Sequence, residues 1–160
     1  MGKAARTFHR RGDEGSAPQG AGAAPNIANG PAFGMSAVVY DAAVLVAADR
    51  NERRAWAEHK ARLELGVVPL VPAPVIAQVS RSPQQAQLRR FLAGCMVVPL
   101  SESEAHEAGR LSGMTKTSDV VDAVVVTTAL GQKATILTSD PDDIERLVRA
   151  SGREVAVVAV

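Results

Sequence analysis

The chain has few aromatic residues, a single cysteine and almost no excess of charge of either sign. Aromatic residues make up 3% of the sequence and apolar residues as a whole 46%, so the core must be built from aliphatic side chains. Cys95 lies in an apolar run without a basic neighbour, which favours a buried thiol over a nucleophile. One cysteine excludes a disulfide within the chain. The net charge of +1 neither requires nor excludes a nucleic acid partner.

Long apolar runs are also missing. No stretch approaches the roughly 20 apolar residues that cross a bilayer, and the start of the chain lacks the apolar run of a secretory signal. We therefore expect a cytoplasmic protein that does not bind membranes. The 160 residues suit one domain with a substantial core.

Residues 1–34 differ in composition from the rest of the chain. They are rich in glycine, alanine and proline and show no helical or strand period, which predicts a disordered leader. Met35 stands where the composition changes, so the leader could also result from a start codon assigned too far upstream. We expect the folded domain to span residues 35–160.

From Ser36 onward, short β-branched runs alternate with segments of helical periodicity. This pattern predicts an α/β fold with a mostly parallel sheet. Proline at 69 and 99 should restrict two of the strands to edge or terminal positions. Helical faces are indicated by Leu88 with Phe91 and Leu92, by Ile144 with Leu147 and Val148, and by Trp56 with Leu63. The predicted strands are 37–40, 67–70, 96–99, 134–137 and 155–158.

Aspartates follow two of the predicted strands and open one predicted helix. Asp41 follows the first strand, Asp140 follows the fourth, and Asp122 begins an apolar helix over residues 122–130. Because ligands of open parallel sheets bind beyond the carboxyl ends of the strands, these residues are candidates for a functional site. We expect their side chains to converge.

Each aspartate also has a structural interpretation. Asp41 and Asp140 could simply cap helices, since Pro141 suits the first helical position. Asp122 lies among valines that predict burial, so its charge needs compensation by an arginine, by helix N–H groups or by a divalent cation shared with other carboxylates. Asp119 is a secondary candidate, because Thr117 or Ser118 as helix cap would make an acid in the first turn ordinary.

Histidine offers no rival chemistry, since His59 and His106 lie in charged helical stretches and should face solvent. The sequence has no glycine-rich phosphate loop, which argues against a nucleotide-binding Rossmann enzyme. Scattered basic residues are either solvated or available to a nucleic acid backbone. They are Arg81, Arg89, Arg90, Arg110 and Lys116.

A family resemblance rests on three segments, which are Val39-Tyr40-Asp41-Ala42, Ser118-Asp119-Val120-Val121-Asp122-Ala123 and Leu137-Thr138-Ser139-Asp140. Together they resemble a PIN-domain ribonuclease of the VapC toxin type. The resemblance covers about residues 36–160 and implies a PIN-like three-layer α/β/α sandwich with a central, mostly parallel sheet. Its acidic site falls on Asp41, Asp122 and Asp140, which would act as catalytic residues and metal ligands. Gln78 stands where the family often has a glutamate, so it is a secondary site candidate that contributes no charge.

The resemblance implies a magnesium-dependent endoribonuclease, with manganese as a substitute ion, that hydrolyses RNA as the toxin of a type II toxin–antitoxin pair. A VapB-type antitoxin would cover the acidic groove or insert a basic residue into it, and a homodimer is compatible with the family. Gln78 motivates an alternative, namely a catalytically weakened PIN-like module that binds RNA or protein. A phospho-acceptor receiver domain also clusters acids at strand ends, but no adjacent acid pair follows the first strand and no lysine follows the last.

Overall fold

A computed structural model describes residues 37–117 and 119–160. The predicted leader, residues 1–34, lies outside the described residues. Five strands alternate with seven helices in this part of the chain. The strands are β1 (Val38–Tyr40), β2 (Leu70–Pro72), β3 (Met96–Val98), β4 (Thr135–Thr138) and β5 (Val157–Ala159). The helices are α1 (Ala42–Asp49), α2 (Arg53–Glu64), α3 (Ala73–Val79), α4 (Ala86–Leu92), α5 (Glu102–Thr115), α6 (Val120–Gln132) and α7 (Pro141–Ser151).

The strands form one sheet in the order β3-β2-β1-β4-β5, and every neighbouring pair is parallel. The chain moves outward from β1 to β3 on one side and then returns to β4 and β5 on the other. Because crossovers between parallel strands are right-handed, this reversal places the two sets of helices on opposite faces. Helix α1 contacts α2, α3 and α4, whereas α5, α6 and α7 contact one another. The predicted α/β sandwich with a parallel sheet is confirmed.

The core consists mainly of aliphatic side chains, as the composition required. Strand β1 is buried along its whole length, and every residue of α6 from Ala123 to Leu130 is buried. Helices α4 and α7 cover the sheet with the predicted faces, including Phe91 and Leu147. No helix among the described residues is both long and apolar enough to cross a membrane.

The second strand begins later than the predicted 67–70. It starts at Leu70, because residues 67–69 close the end of α2, where the Val67 N–H bonds to the Arg62 carbonyl oxygen at 2.9 Å. Pro69 precedes β2, and Pro99 follows β3, the edge strand of the sheet. Both prolines therefore lie at strand ends, as expected.

The prediction that His59 faces solvent is wrong. His59 is only 4% exposed, and its ring stacks on Phe91 with 4.1 Å between ring centroids. Its Nδ1 atom lies 3.2 Å from the Tyr40 hydroxyl oxygen, so the two side chains form a hydrogen bond inside the core. Trp56, one turn earlier on α2, packs edge-on against Phe91 at 5.2 Å. The aromatic side chains of residues 37–160 thus form one cluster with His59 under α2.

Two other side-chain predictions hold. The His106 side chain is 82% exposed. Cys95 is half-buried, and burial raises the pKa of its thiol to about 12. A thiol with so high a pKa is unreactive at neutral pH.

Candidate active site at the carboxyl edge of the sheet

The strand order identifies the position between β1 and β4 as the place where a ligand site is expected. β1 and β4 are neighbours, and the chain continues in opposite directions from them. In open α/β sheets this reversal leaves a crevice at the carboxyl ends of the two strands. Tyr40 pairs with Leu137, so the residues that follow the two strands emerge side by side. Asp41 and Asp140 therefore lie at the same edge of the sheet.

Asp41 is buried at 7% exposure and begins α1 as its N-cap. Its Oδ1 atom accepts a hydrogen bond from the Ala42 N–H at 2.6 Å, and its Oδ2 atom accepts one from the Thr138 hydroxyl at 2.7 Å. Burial raises the pKa of Asp41, and the hydrogen bonds from Thr138 and Ala42 oppose this rise. The charges of Asp119 and Asp140 raise it further.

Thr138 links two of the predicted site residues, although sequence reasoning did not assign it a role. Its side chain is fully buried at the end of β4. The hydroxyl donates to Asp41 and accepts a hydrogen bond from the Asp140 N–H at 3.0 Å. The signal was present in the sequence, since a hydroxyl residue at the end of a buried strand needs polar partners.

Asp140 is exposed and begins α7, where its side chain accepts a hydrogen bond from the Asp143 N–H at 3.3 Å. Asp143, one of the acids in the first turn, forms an ion pair with Arg146. The structural interpretation of Asp140 as a helix cap is confirmed, and its role in a functional site stays a prediction.

The start of α6 differs from its predicted form. Asp119, and not Thr117 or Ser118, is the N-cap, and its Oδ1 atom accepts hydrogen bonds from the Val121 and Asp122 N–H groups at 2.9 and 3.2 Å. Thr117 stabilises the same turn by accepting a hydrogen bond from the Asp119 N–H at 3.2 Å. These hydrogen bonds hold the carboxylate of Asp119 against the backbone of Asp122.

The carboxyl group of Asp122 has the most strongly shifted pKa among the acids at this edge. Its side chain is half-buried in the first turn of α6, while Val120, expected to be buried beside it, is 52% exposed. Burial raises the pKa of Asp122 to about 7, and the carboxylates of Asp119, Asp41, Asp143 and Asp140 contribute in that order. All the charged groups that shift the pKa of Asp122 are therefore negative. An arginine, which the sequence suggested as a possible partner, is not among them.

Gln78 lies on α3, which packs against α1 and α6. Its Oε1 atom is buried and has no hydrogen-bond partner among the described residues. The side chain lines a cavity between α1 and the segment that joins α3 to α4, and Ala42 lines the same cavity. Gln78 is thus connected to the acidic edge through the residue that follows Asp41.

The metal site remains a prediction. Within residues 37–117 and 119–160, no three histidine, cysteine, aspartate or glutamate side chains are grouped closely enough to hold a metal ion as they stand. The donor chemistry nevertheless suits a hard divalent cation, because carboxylate oxygens are the preferred ligands of magnesium. Burial first, and neighbouring carboxylates second, raise the pKa values of Asp41 and Asp122, so a bound cation would favour their charged forms.

Several aspartates that follow strands or begin helices at the reversal point of a parallel sheet place the chain among α/β proteins with an acidic edge. The sequence profile of the PIN domain family matches residues 38–150. The chain belongs to the PIN domain family. The predicted resemblance is thereby confirmed at the level of family and fold, and the receiver-domain alternative is excluded.

Solved structures with the same fold are distant in sequence. VapBC2 from Rickettsia felis bound to a DNA fragment from their promoter is similar with a TM-score of 0.60 and 14% identity, over 77% of this chain and 98% of the other. FitAcB from Neisseria gonorrhoeae gives 0.52 and 14%, over 75% and 95%. FitAB bound to an IR36 DNA fragment gives 0.51 and 15%, over 76% and 94%. No curated protein matches the chain in sequence comparison.

Proposed function

We propose that this PIN domain is a metal-dependent endoribonuclease that acts as the toxin of a toxin–antitoxin pair. The observation that carries the proposal is the pKa of Asp122, which burial and four neighbouring carboxylates raise to about 7. An arrangement that keeps several carboxylates close to a half-buried one costs stability, so it calls for a function that uses the negative charge.

The ligands of the metal would be Asp41, Asp122 and Asp140, and the ion would be magnesium, or manganese in its place. When bound, such an ion supplies positive charge against phosphate oxygens and lowers the pKa of a bound water molecule. The substrate in this proposal is an RNA phosphodiester, which is hydrolysed.

The protein's own residues hold the site in place. Thr138 and the Ala42 N–H fix both carboxylate oxygens of Asp41, so this side chain is oriented before any ligand arrives. Asp119 fixes the first turn of α6 and thereby the position of Asp122. Such preorganisation lets the site bind without the cost of ordering its side chains.

The partner proposed for the toxin is a VapB-type antitoxin that covers or enters the acidic edge. Support comes from the family and from similar structures that carry the names VapBC2 and FitAB. A homodimer is part of the same proposal, and both assemblies would be measured by light scattering of the chain alone and with a candidate antitoxin.

The test is cleavage of a labelled RNA in magnesium by the wild type, by Asp122→Asn and by a matched control, Asp142→Asn. Asp142 is an exposed acid in the first turn of α7 and is not among the charges that act on Asp122. We expect cleavage by the wild type and the control, and a loss of at least about 100-fold in Asp122→Asn. Equal activity in all three proteins would contradict the proposal.

An alternative function is favoured by Gln78, which brings no charge to the position where the resemblance indicates a glutamate, and by the absence of a preformed metal-ligand group among the described residues. In this alternative the chain binds RNA or a protein without turnover. RNA binding by the wild type, measured by fluorescence anisotropy, with no magnesium-dependent cleavage would support the alternative over the ribonuclease.

A further inference from the structure

Exposed arginines are concentrated at one corner of the molecule, which is formed by the end of α1, the start of α2, helix α4 and the turn before α4. Six arginines of residues 37–117 and 119–160 form no ion pair with another described residue, and five of the six lie at this corner. The sixth, Arg110, lies on α5. All six are exposed. The five residues of this arginine corner are Arg50, Arg53, Arg81, Arg89 and Arg90.

Contacts between these elements hold the arginine corner together. Gln85 connects the end of α1 to the turn before α4, because its side chain donates to Asp49 Oδ2 at 2.8 Å and accepts from the Arg81 N–H at 2.6 Å. Helix α4 packs along α1. The guanidinium group of Arg90 on α4 lies over the ring of Trp56 on α2, 5.3 Å from its centroid. Arginines from separate parts of the chain therefore share one surface.

The positive charge of the arginine corner exceeds the negative charge beside it. Two acids, Asp49 and Glu52, lie where α1 ends and α2 begins. Glu58, further along α2, is already paired with Arg54 and Arg62. Exposed guanidinium groups bind phosphate oxygens through parallel charge-assisted hydrogen bonds. The corner therefore fits a ligand that carries several phosphates.

A ribonuclease with an acidic edge needs positive charge elsewhere on its surface to hold RNA. The aspartates at that edge repel phosphate groups while no cation is bound, so they cannot supply affinity for an RNA backbone. Helix α1 joins the two places, because it begins after Asp41 and ends before Arg50. Its 8 residues span about 12 Å, which a stacked strand crosses in about four nucleotides at ~3.4 Å per nucleotide. RNA at the acidic edge can thus reach the arginine corner along α1.

We propose that the arginine corner binds the phosphate backbone of the RNA substrate, about four nucleotides from the bond that is cut. The inference rests on the proposed ribonuclease function, which supplies RNA as the polyanion that must lie near this surface. Because the corner contacts phosphates, it should add affinity without a preference for particular bases. An acidic segment of a protein partner is the competing occupant, and the experiment below distinguishes the two.

The test measures binding of a labelled single-stranded RNA, long enough to span both places, by fluorescence anisotropy in a chelator, so that RNA is not cut. Arg50→Ala and Arg89→Ala should each weaken binding about 3- to 10-fold. Each should also reduce the slope of log affinity against log salt concentration by about 0.7, the value for one phosphate contact on a single strand. Arg50→Lys keeps the charge and should retain the slope, which guards against a folding defect in Arg50→Ala.

Arg110→Ala is the matched control. It removes an exposed arginine whose guanidinium group contacts the Met114 sulfur at 3.2 Å, so it changes the net charge of the protein by the same amount. It should leave both the affinity and the salt slope unchanged. Melting temperatures of all variants are recorded alongside.

The length of the RNA gives a second readout. Truncation below the length that spans the acidic edge and the arginine corner should weaken binding to the wild type. The same truncation should weaken binding to Arg50→Ala by a smaller factor, because the contact that truncation removes is already reduced in the variant. Equal factors for the two proteins would contradict the proposed path along α1.

The outcomes separate this proposal from the ribonuclease proposal. If Arg50→Ala, Arg89→Ala and Arg110→Ala have equal effects on the salt slope, the arginine corner is overturned as an RNA site, even when the wild type cleaves RNA. If only the two corner variants lose RNA affinity but the wild type does not cleave RNA in magnesium, the corner stands and the ribonuclease proposal fails. If polyglutamate of equal charge displaces the labelled RNA as well as unlabelled RNA does, an acidic protein segment replaces RNA as the occupant and the proposal is overturned.

Discussion

The substitution Asp122→Asn should stabilise the metal-free protein while it abolishes RNA cleavage. The pKa of Asp122 rises from 3.8 to about 7 in the folded protein, so the folded state resists the charge that the unfolded state carries freely. A difference of this size corresponds to at most about 4 kcal/mol, at roughly 1.4 kcal/mol per pKa unit. Because the side chain is only half-buried, solvent screening reduces this to about 1–2 kcal/mol.

The stability difference between Asp122→Asn and the wild type should depend on pH. The folded pKa is raised, so the contribution of Asp122 to stability is fully present below pH 3.8 and is lost as the pH rises to about 7. Asparagine does not titrate. The advantage of Asp122→Asn over the wild type should therefore be largest above pH 7 and should shrink by more than half at pH 5.

The assay pairs urea unfolding in a chelator, at pH 8 and pH 5, with cleavage of a labelled RNA in magnesium. Asp142→Asn again serves as the control and should change neither property. A mutant that is destabilised by a few kcal/mol at both pH values and still cuts RNA would refute the reasoning, because it would show that Asp122 has a structural partner.

Four further outcomes are expected. Thr138→Val removes the hydroxyl that donates to Asp41, so it should cost about 1–3 kcal/mol and lower cleavage by about 10- to 100-fold, measured by urea unfolding and RNA cleavage. Magnesium should raise the melting temperature of the wild type by binding the native state and should fail to do so in Asp122→Asn. The pKa of His59 is lowered by burial and by the charge of Arg62, so the wild type should lose stability relative to His59→Gln as the pH falls below about 6.5. A chain that begins at Met35 should keep its melting temperature within a few degrees if the leader is dispensable.

Much of the fold followed from local patterns in the sequence. Strand β4 could be predicted because an apolar run stands between a helical segment and a turn, and it was placed within one residue of its observed start at Thr135. Strand β2 was placed early because Val67 and Val68 have the composition of a strand. Those residues instead form the connection between α2 and β2. Tertiary contacts decide this outcome, and the strand propensities of single residues do not include such contacts.

His59 shows why side-chain environments were harder to predict. Its neighbours along α2 are charged, so the local sequence indicates an exposed position. Burial depends on Phe91 and on the hydroxyl of Tyr40, which are distant in sequence. The same limit applies to Gln78, since its position after β2 could be aligned with the family, but the unpaired Oε1 atom and the cavity beside it result from the packing of α3 against α1.

The structural and functional interpretations of the aspartates turn out to be compatible. Asp41, Asp119 and Asp140 each cap a helix, and the partial positive charge of a helix N-terminus favours a carboxylate there. Three helices that begin at one edge of the sheet can therefore hold three carboxylates together at low cost. Asp122 differs, because no described residue donates a hydrogen bond to its side chain, and its pKa is raised to about 7. The helix N-termini stabilise the capping acids, and Asp122 is the member whose charge the proposed cation would stabilise most.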